Sequence, residues 1–460
     1  MEKPASLRFR LLVPLGLAGC SCLLLLSQPP ATAAEKLHAR STIRSSEAAE
    51  HIAALADDAF EGREGGRRGG RAAGGYVEQA VAPLGFLPAG DNGGYFQSFA
   101  TGHGTLRNVL ALLPGSDPTC RDELVVIGGH YDHVGYGNAR NSFGPFGFVH
   151  NGADDNASGV AGLLEIAEAL AALPRPPRRS ILIAFWDGEE QGLIGSRHFL
   201  KHRPPPLRGR EIVFAINLDM IGRLRQRLEV FGTRSAVGLE ALVTRANNLP
   251  GQEPLDLTFD WKVEADSDHY PFLQRGIPTI MFHTGLHDDY HRPSDDVHRV
   301  NLAGLEPVVR LTFATLLEVA DSPEPRLPFR NRCLTESNAS RSRLEAKAYL
   351  PADKPGRWGI GIRLDEANPT VPVVVAVRPA SPADRGGPGA DGGRPGERGR
   401  VRDARRGPRE PRRREARGAG ARRRGGAPPV PADGVRRRPG GRRGDPGAPG
   451  ARWRCLTRSC

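Results

Sequence analysis

The sequence predicts an α/β domain, a mostly parallel central sheet covered by helices on both faces. Three observations carry this. Short apolar runs recur at "NVLALL" (108–113), "ELVVIGG" (123–129), "SILIAFW" (180–186), "IVFAINL" (212–218) and "PTIMFH" (278–283), each the length of a buried strand. Helical patterns separate most of them, and such alternation builds parallel sheets with both faces covered. Acidic or histidine-bearing motifs also follow several runs directly, as expected where ligand sites lie beyond the carboxyl ends of parallel strands.

Taken in order, Lys3, Arg8 and Arg10 precede an apolar run over 11–26 and then "ATAA" at 31–34. This is the layout of a secretory signal, so residues 1–34 are expected to be removed and the protein exported, to the periplasm or outside the cell. The run is shorter than the roughly 18 to 20 residues of a membrane helix, and Pro14 and Gly16 interrupt it, so no membrane span is expected after cleavage. "LAGC" at 17–20 resembles a lipoprotein cleavage motif, whose use would instead leave a lipid on Cys20. Residues 48–60 and 71–86 read as helices around a Gly/Arg-rich turn. Further helical patterns span 159–173, 193–202, 235–246 and 302–320.

The net charge of +12 invites a nucleic-acid reading until it is located. Residues 384–460 hold 23 Arg, no Lys and 8 acids, a net of +15, so everything before them is slightly acidic. No nucleic-acid partner is therefore expected for the folded domain. The tail, rich in Arg, Gly, Pro and Ala, has too few apolar residues to bury and reads as disordered. Those four residue types share GC-rich codons, the composition expected of a frameshift product. Beyond the leader, Cys120, Cys333, Cys455 and Cys460 are too scattered for a disulfide framework, although export permits a Cys120–Cys333 bridge.

"HYDH" follows the second run, "DGEE" the third, Asp219 closes the fourth and "HTGLHDDYH" follows the fifth. With "NGADDNASG" (151–159), these motifs supply His130, Asp155, Glu190, Asp219 and His291, imidazoles and carboxylates that suit zinc. Five ligands exceed the usual three of a one-zinc catalytic site. A carboxylate bridging two ions resolves the excess. In "EE", one carboxylate is expected to hold an ion while its neighbour stays free to accept a proton. Asp154 or Asn156 is expected to cap the helix starting near Ser158.

The motifs "GGHYDHVG", "NGADDNASG", "FWDGEEQGLIGS", "NLDMIGR", "SDHYPF" and "YHRPSDD" resemble, in order and wording, the M28 family of zinc aminopeptidases over about residues 48–320. The resemblance implies a three-layer α/β/α zinc-exopeptidase-like domain, placed at 35–325, holding two zinc ions. It makes His130, Glu190, Asp219 and His291 terminal ligands, Asp155 the bridge and Glu189 the general base. Asp132 would accept the second ring N–H of His130, and Tyr290 would donate to the oxyanion. Peptides with a free N-terminus are the implied substrates, their α-amine held by acidic groups at a closed end of the cleft. A carboxypeptidase, a glutaminyl-cyclase-like acyltransferase with one zinc, or a non-catalytic homologue shares the fold. His133, His150, His283 and His287 are expected at the rim or behind the ligands.

Residues 95–113 leave no room for the extra domain that some secreted relatives insert. Past Pro325 a linker is expected. "WGIGIRLDEANPTVPVVVAVRPASPADRGG" (358–387) then resembles the first half of a PDZ domain, the incomplete segment being placed within 326–383.

Overall fold

The computed structural model describes residues 30–347, 360–364 and 372–377. Residues 1–29 with Cys20, most of the PDZ-like segment and the whole basic tail lie outside the described residues.

Helices α1 (Ala33–Ser41), α2 (Ser45–Leu55) and α3 (Arg68–Val81) open the chain, α1 starting at the expected cleavage point behind a Thr32–Glu35 capping box. The pattern read as one helix over 48–60 stops at Leu55 and gives way to a tight turn over Asp58–Arg63, where Glu61 and Arg63 take positive φ. The strands follow as β1 (Leu87–Pro88), β2 (Phe96–Thr101), β3 (Gly104–Leu113), β4 (Glu123–His130), β5 (Ser180–Trp186), β6 (Glu211–Leu218), β7 (Leu228–Phe231), β8 (Leu257–Asp260) and β9 (Thr279–His283). Between and after them run α4 (Gly159–Ala171), α5 (Ile194–Lys201), α6 (Leu239–Asn247), α7 (His269–Gln274) and α8 (Leu302–Ala320).

All nine strands form one sheet in the order β1-β3-β5-β4-β6-β9-β7-β8, with β2 hairpinned onto β3. The centre, β5-β4-β6-β9, is parallel. Its flanks are not, because β3 runs antiparallel to β5 and β7 antiparallel to β9. The two-residue period of a strand divides the core. Val125 and Ile127 of β4 join a large layer with α1–α4, α6 and α8, whereas Leu124 and Val126 join a smaller one with α5 and α7. Strands buried on both faces cannot alternate apolar with polar, which is why β4, β5 and β6 read as continuous apolar runs.

The α/β domain does not stop at Pro325. Leu327 packs against the core, Arg330 N–H donates to the Ser235 carbonyl (2.7 Å) and Arg330 pairs with Glu336. A linker was expected there; polar contacts rather than an apolar pattern hold this stretch. Helix α9 (Asn338–Lys347) follows, then an antiparallel pair, β10 (Ile360–Leu364) and β11 (Pro372–Val377). Cys120 and Cys333 are both unpaired thiols. Among the described residues, no helix is long and apolar enough to cross a membrane.

Candidate metal centre

Parallel strands end on one edge, and four of them deliver side chains there. His130 is the last residue of β4, in register with Trp186 at the end of β5. Glu189 and Glu190 lie just past β5, Asp219 directly follows β6, and His291 sits in the loop after β9. Asp155 lies in a single wide turn, Ala153–Ser158, that feeds α4. Of the two capping candidates it is Asn156 whose Oδ1 accepts the Gly159 N–H (3.0 Å). Gly152, at φ +53°, lets this turn close: a Cβ there would lie 2.1 Å from the Asp155 carbonyl oxygen and 2.6 Å from the His133 ring.

The predicted ligands converge as two groups that share Asp155. His130 Nε2 is 3.4 Å from Asp155 Oδ1 and 3.4 Å from Asp219 Oδ1. His291 Nε2 is 3.1 Å from Asp155 Oδ2 and 3.1 Å from Glu190 Oε2. Within each group the ligand atoms all lie within 4.8 Å of one another, and Glu189 groups with His130 and Glu190. Carboxylates crowded in a buried pocket repel unless cations are shared among them, and this oxygen–nitrogen set is the one zinc accepts. The residues present therefore fit zinc.

Asp132 behaves differently from the expectation. His130 Nδ1 faces the Asp132 main-chain carbonyl at 3.1 Å and its carboxylate at 3.8 Å, while Asp132 Oδ1 accepts the Glu189 backbone N–H (3.0 Å). Lying two residues past His130, Asp132 can reach that ring with its own backbone, which frees its carboxylate to anchor the "EE" loop.

Charges in the cluster oppose desolvation. Burial lowers His130, yet Glu189 and Asp219 together raise its pKa well above the usual imidazole range. Burial raises Glu190, but His291 and His133 hold it well below the ordinary carboxylate value. Glu189 is pushed well above that value by burial, against the pull of His130. The Tyr290 phenol, buried beside Asp155, Glu190 and Glu189, is also pushed up, so it stays a donor at neutral pH. Its ring stacks on His291 with centroids 3.9 Å apart, and both line one cavity with Glu189.

Three participants escaped the sequence reading. His133, expected behind the ligands, is fully buried in the second group, its Nδ1 2.8 Å from Glu190 Oε1. Ser267 Oγ donates to Asp219 Oδ2 (2.6 Å) and accepts from Asn217 Nδ2 (2.7 Å), which gives "SDHY" a positioning part. Asp295 Oδ2 accepts the backbone N–H groups of both Asp154 and Asp155 at 3.0 Å. "YHRPSDD" holds both His291 and Asp295, and that proximity was the available signal. His287 contacts Asp154 at 3.1 Å, and His150 Nε2 contacts Ser142 Oγ at 2.6 Å, away from the ligand atoms.

The fold matches the aminopeptidase LapA of Legionella pneumophila with a TM-score of 0.53 at 19% identity, over 69% of this chain and 81% of that one. Residues 108–316 match the family described as Peptidase family M28. In sequence the chain is 29% identical to leupeptin-inactivating enzyme 1 of Streptomyces exfoliatus over 47% of its length and 43% of that protein's. It is 28% identical to aminopeptidase YwaD of Bacillus subtilis over 43% of its length and 41% of that protein's. The chain thus spans less than half the length of these curated relatives.

Proposed function

We propose that this protein is an exported metallo-aminopeptidase that removes N-terminal residues from peptides, with His130, Asp155, Glu190, Asp219 and His291 holding two zinc ions. The observation that carries the reading is the shared carboxylate: Asp155 belongs to both ligand groups, with Glu189 alongside. Bound zinc supplies Lewis-acid polarisation of the peptide carbonyl and acidifies water. Glu189, grouped with the ligands, accepts a proton from the attacking water and returns it to the leaving amine. Asp132 positions that base through its backbone, and the Tyr290 hydroxyl donates to the developing oxyanion. Export rests on the leader pattern alone, and removal of the leader from secreted material would be read by N-terminal sequencing.

Hydrolysis of leucine p-nitroanilide by the zinc-loaded full chain tests the activity, with the N-acetylated substrate and Glu189→Gln alongside. Cleavage of the free-amine substrate only, reduced at least about 100-fold in the variant, is expected. Metal counting gives two zinc per chain on this reading. One zinc, with no hydrolysis, would favour the glutaminyl-cyclase-like chemistry.

A further inference from the structure

The cavity that holds the candidate metal centre measures about 600 Å³, and its lining also includes residues of β7, β8 and β9. Directly opposed residues of paired strands share a face. In the β7–β9 pair, Glu229 opposes His283 and Phe231 opposes Met281, and in the β7–β8 pair Phe231 lies beside Asp260. All five line the cavity. Met220, Phe231 and Met281 give its wall an apolar stretch, and Glu229, Asp260, Glu264 and Asp266 contribute carboxylates to the same cavity.

We propose that this cavity selects peptides whose N-terminal residue has a long cationic side chain, lysine or arginine, an inference that rests on the aminopeptidase reading above. Four carboxylates face two basic residues. Lys262 is taken by an ion pair with Glu264, and His283 Nδ1 lies 3.3 Å from Glu229. Asp260 and Asp266 are left to face a ligand: Asp260 Oδ1 takes only the backbone N–H of Lys262 (2.8 Å), and Asp266 stands 3.8 Å from His269 Nε2, beyond hydrogen-bond range. A lysine or arginine stem lays its methylenes on apolar surface and carries its charge at the far end. Met220, Phe231 and Met281 offer that surface, and the carboxylates lining the same cavity offer partners for the charge. A leucine side chain fills only the apolar part, and a glutamate side chain meets like charge.

The test uses the zinc-loaded full chain with lysine, arginine, leucine and glutamate p-nitroanilides, and calorimetric binding of lysinamide and leucinamide as a readout that needs no turnover. A kcat/KM for lysine and arginine about tenfold above leucine is expected, with glutamate poorest and the preference weakening as salt rises. Asp260→Asn and Asp266→Asn should each lower the lysine-to-leucine ratio by up to about fivefold, the worth of a half-screened ion pair. Equal use of leucine and lysine overturns the inference and leaves the aminopeptidase reading standing. So does an equal loss for all substrates in both variants, which would make these groups α-amine holders. No hydrolysis of any substrate sinks the aminopeptidase reading, and in that case lysinamide binding no tighter than leucinamide sinks this inference separately.

Discussion

Arg63 is fully buried beneath the candidate metal centre, and its guanidinium bonds four main-chain carbonyls. Nε donates to Tyr131 (2.9 Å), Nη1 to Leu55 (2.7 Å) and Asn151 (2.6 Å), and Nη2 to Gly152 (2.9 Å). One side chain thereby ties the segment after His130 to the segment before Asp155. Burial lowers its pKa to about 10, with Asp155, Asp295 and Asp132 resisting, so it stays charged at neutral pH. A lysine keeps the charge but offers three donors on a point-like head, without the planar fork. Arg63→Lys is expected to destabilise the fold by about 3 kcal/mol and to weaken zinc binding 10- to 100-fold, as lost outer support does. Urea unfolding and competition with a zinc chelator would measure the two, and a variant within about 0.5 kcal/mol of the parent would refute the role. In the sequence Arg63 sits in a Gly/Arg-rich turn and looks like a solvated residue. Its four acceptors come from segments up to 89 positions away, so nothing local marks it.

At the scale of elements, α2 has Arg44 at its N-cap with no side-chain cap, and other helices supply what is missing. Glu165 of α4 accepts the Arg44 N–H (2.7 Å) and Glu306 of α8 accepts the Ser45 N–H (2.9 Å), satisfying the helix's first donors. Glu165 is buried, its Oε1 has no hydrogen-bond partner, and burial beside Glu168 and Glu47 lifts its pKa to about 7. A carboxyl whose folded pKa is raised binds its proton more tightly when folded. Its contribution is therefore present below its ordinary value of 4.5 and is lost as pH rises towards about 7. Glu165→Gln can still accept from Arg44 and has no proton to lose. It should flatten the decline in stability between pH 4.5 and 7 and be more stable than the parent above pH 7, by on the order of 2 kcal/mol. Thermal unfolding across that range checks this, and parallel curves for parent and variant would defeat it. Elements differed in how well they could be read. Strands β4, β5 and β6 are apolar on both faces and announce themselves, whereas β7 and β8 are only four residues long, carry Glu229 and Asp260 and blend into loops.

For the whole molecule, the stability of the fold and the charge of the centre are coupled. Asp155, Glu190 and Asp219 converge in one buried region, and cations that bind the folded state alone stabilise it by mass action, about 2.7 kcal/mol at a hundred times Kd. Stripping metal with a chelator should lower the unfolding temperature by several degrees, and stoichiometric zinc should restore it. An unfolding temperature indifferent to both would remove the metal-centre reading.

Periodicity and motif order alone determined the α/β class and the central parallel strands, and pointed to His130, Asp155, Glu190, Asp219 and His291 as candidate ligands. Those features are local: burial on both faces writes itself as apolar runs, and residues at strand ends are placed by the strands themselves. Tertiary structure alone decided where antiparallel strands flank the parallel centre, that His133 joins the second candidate ligand group and that the Asp132 carboxylate anchors Glu189 while its main chain faces the His130 ring. It also packed residues past Pro325 onto the domain and set Asp260 and Glu229 in the cavity. Each of these rests on contacts between segments distant in sequence, made by single polar side chains with no period to betray them, and only folding brings the partners together.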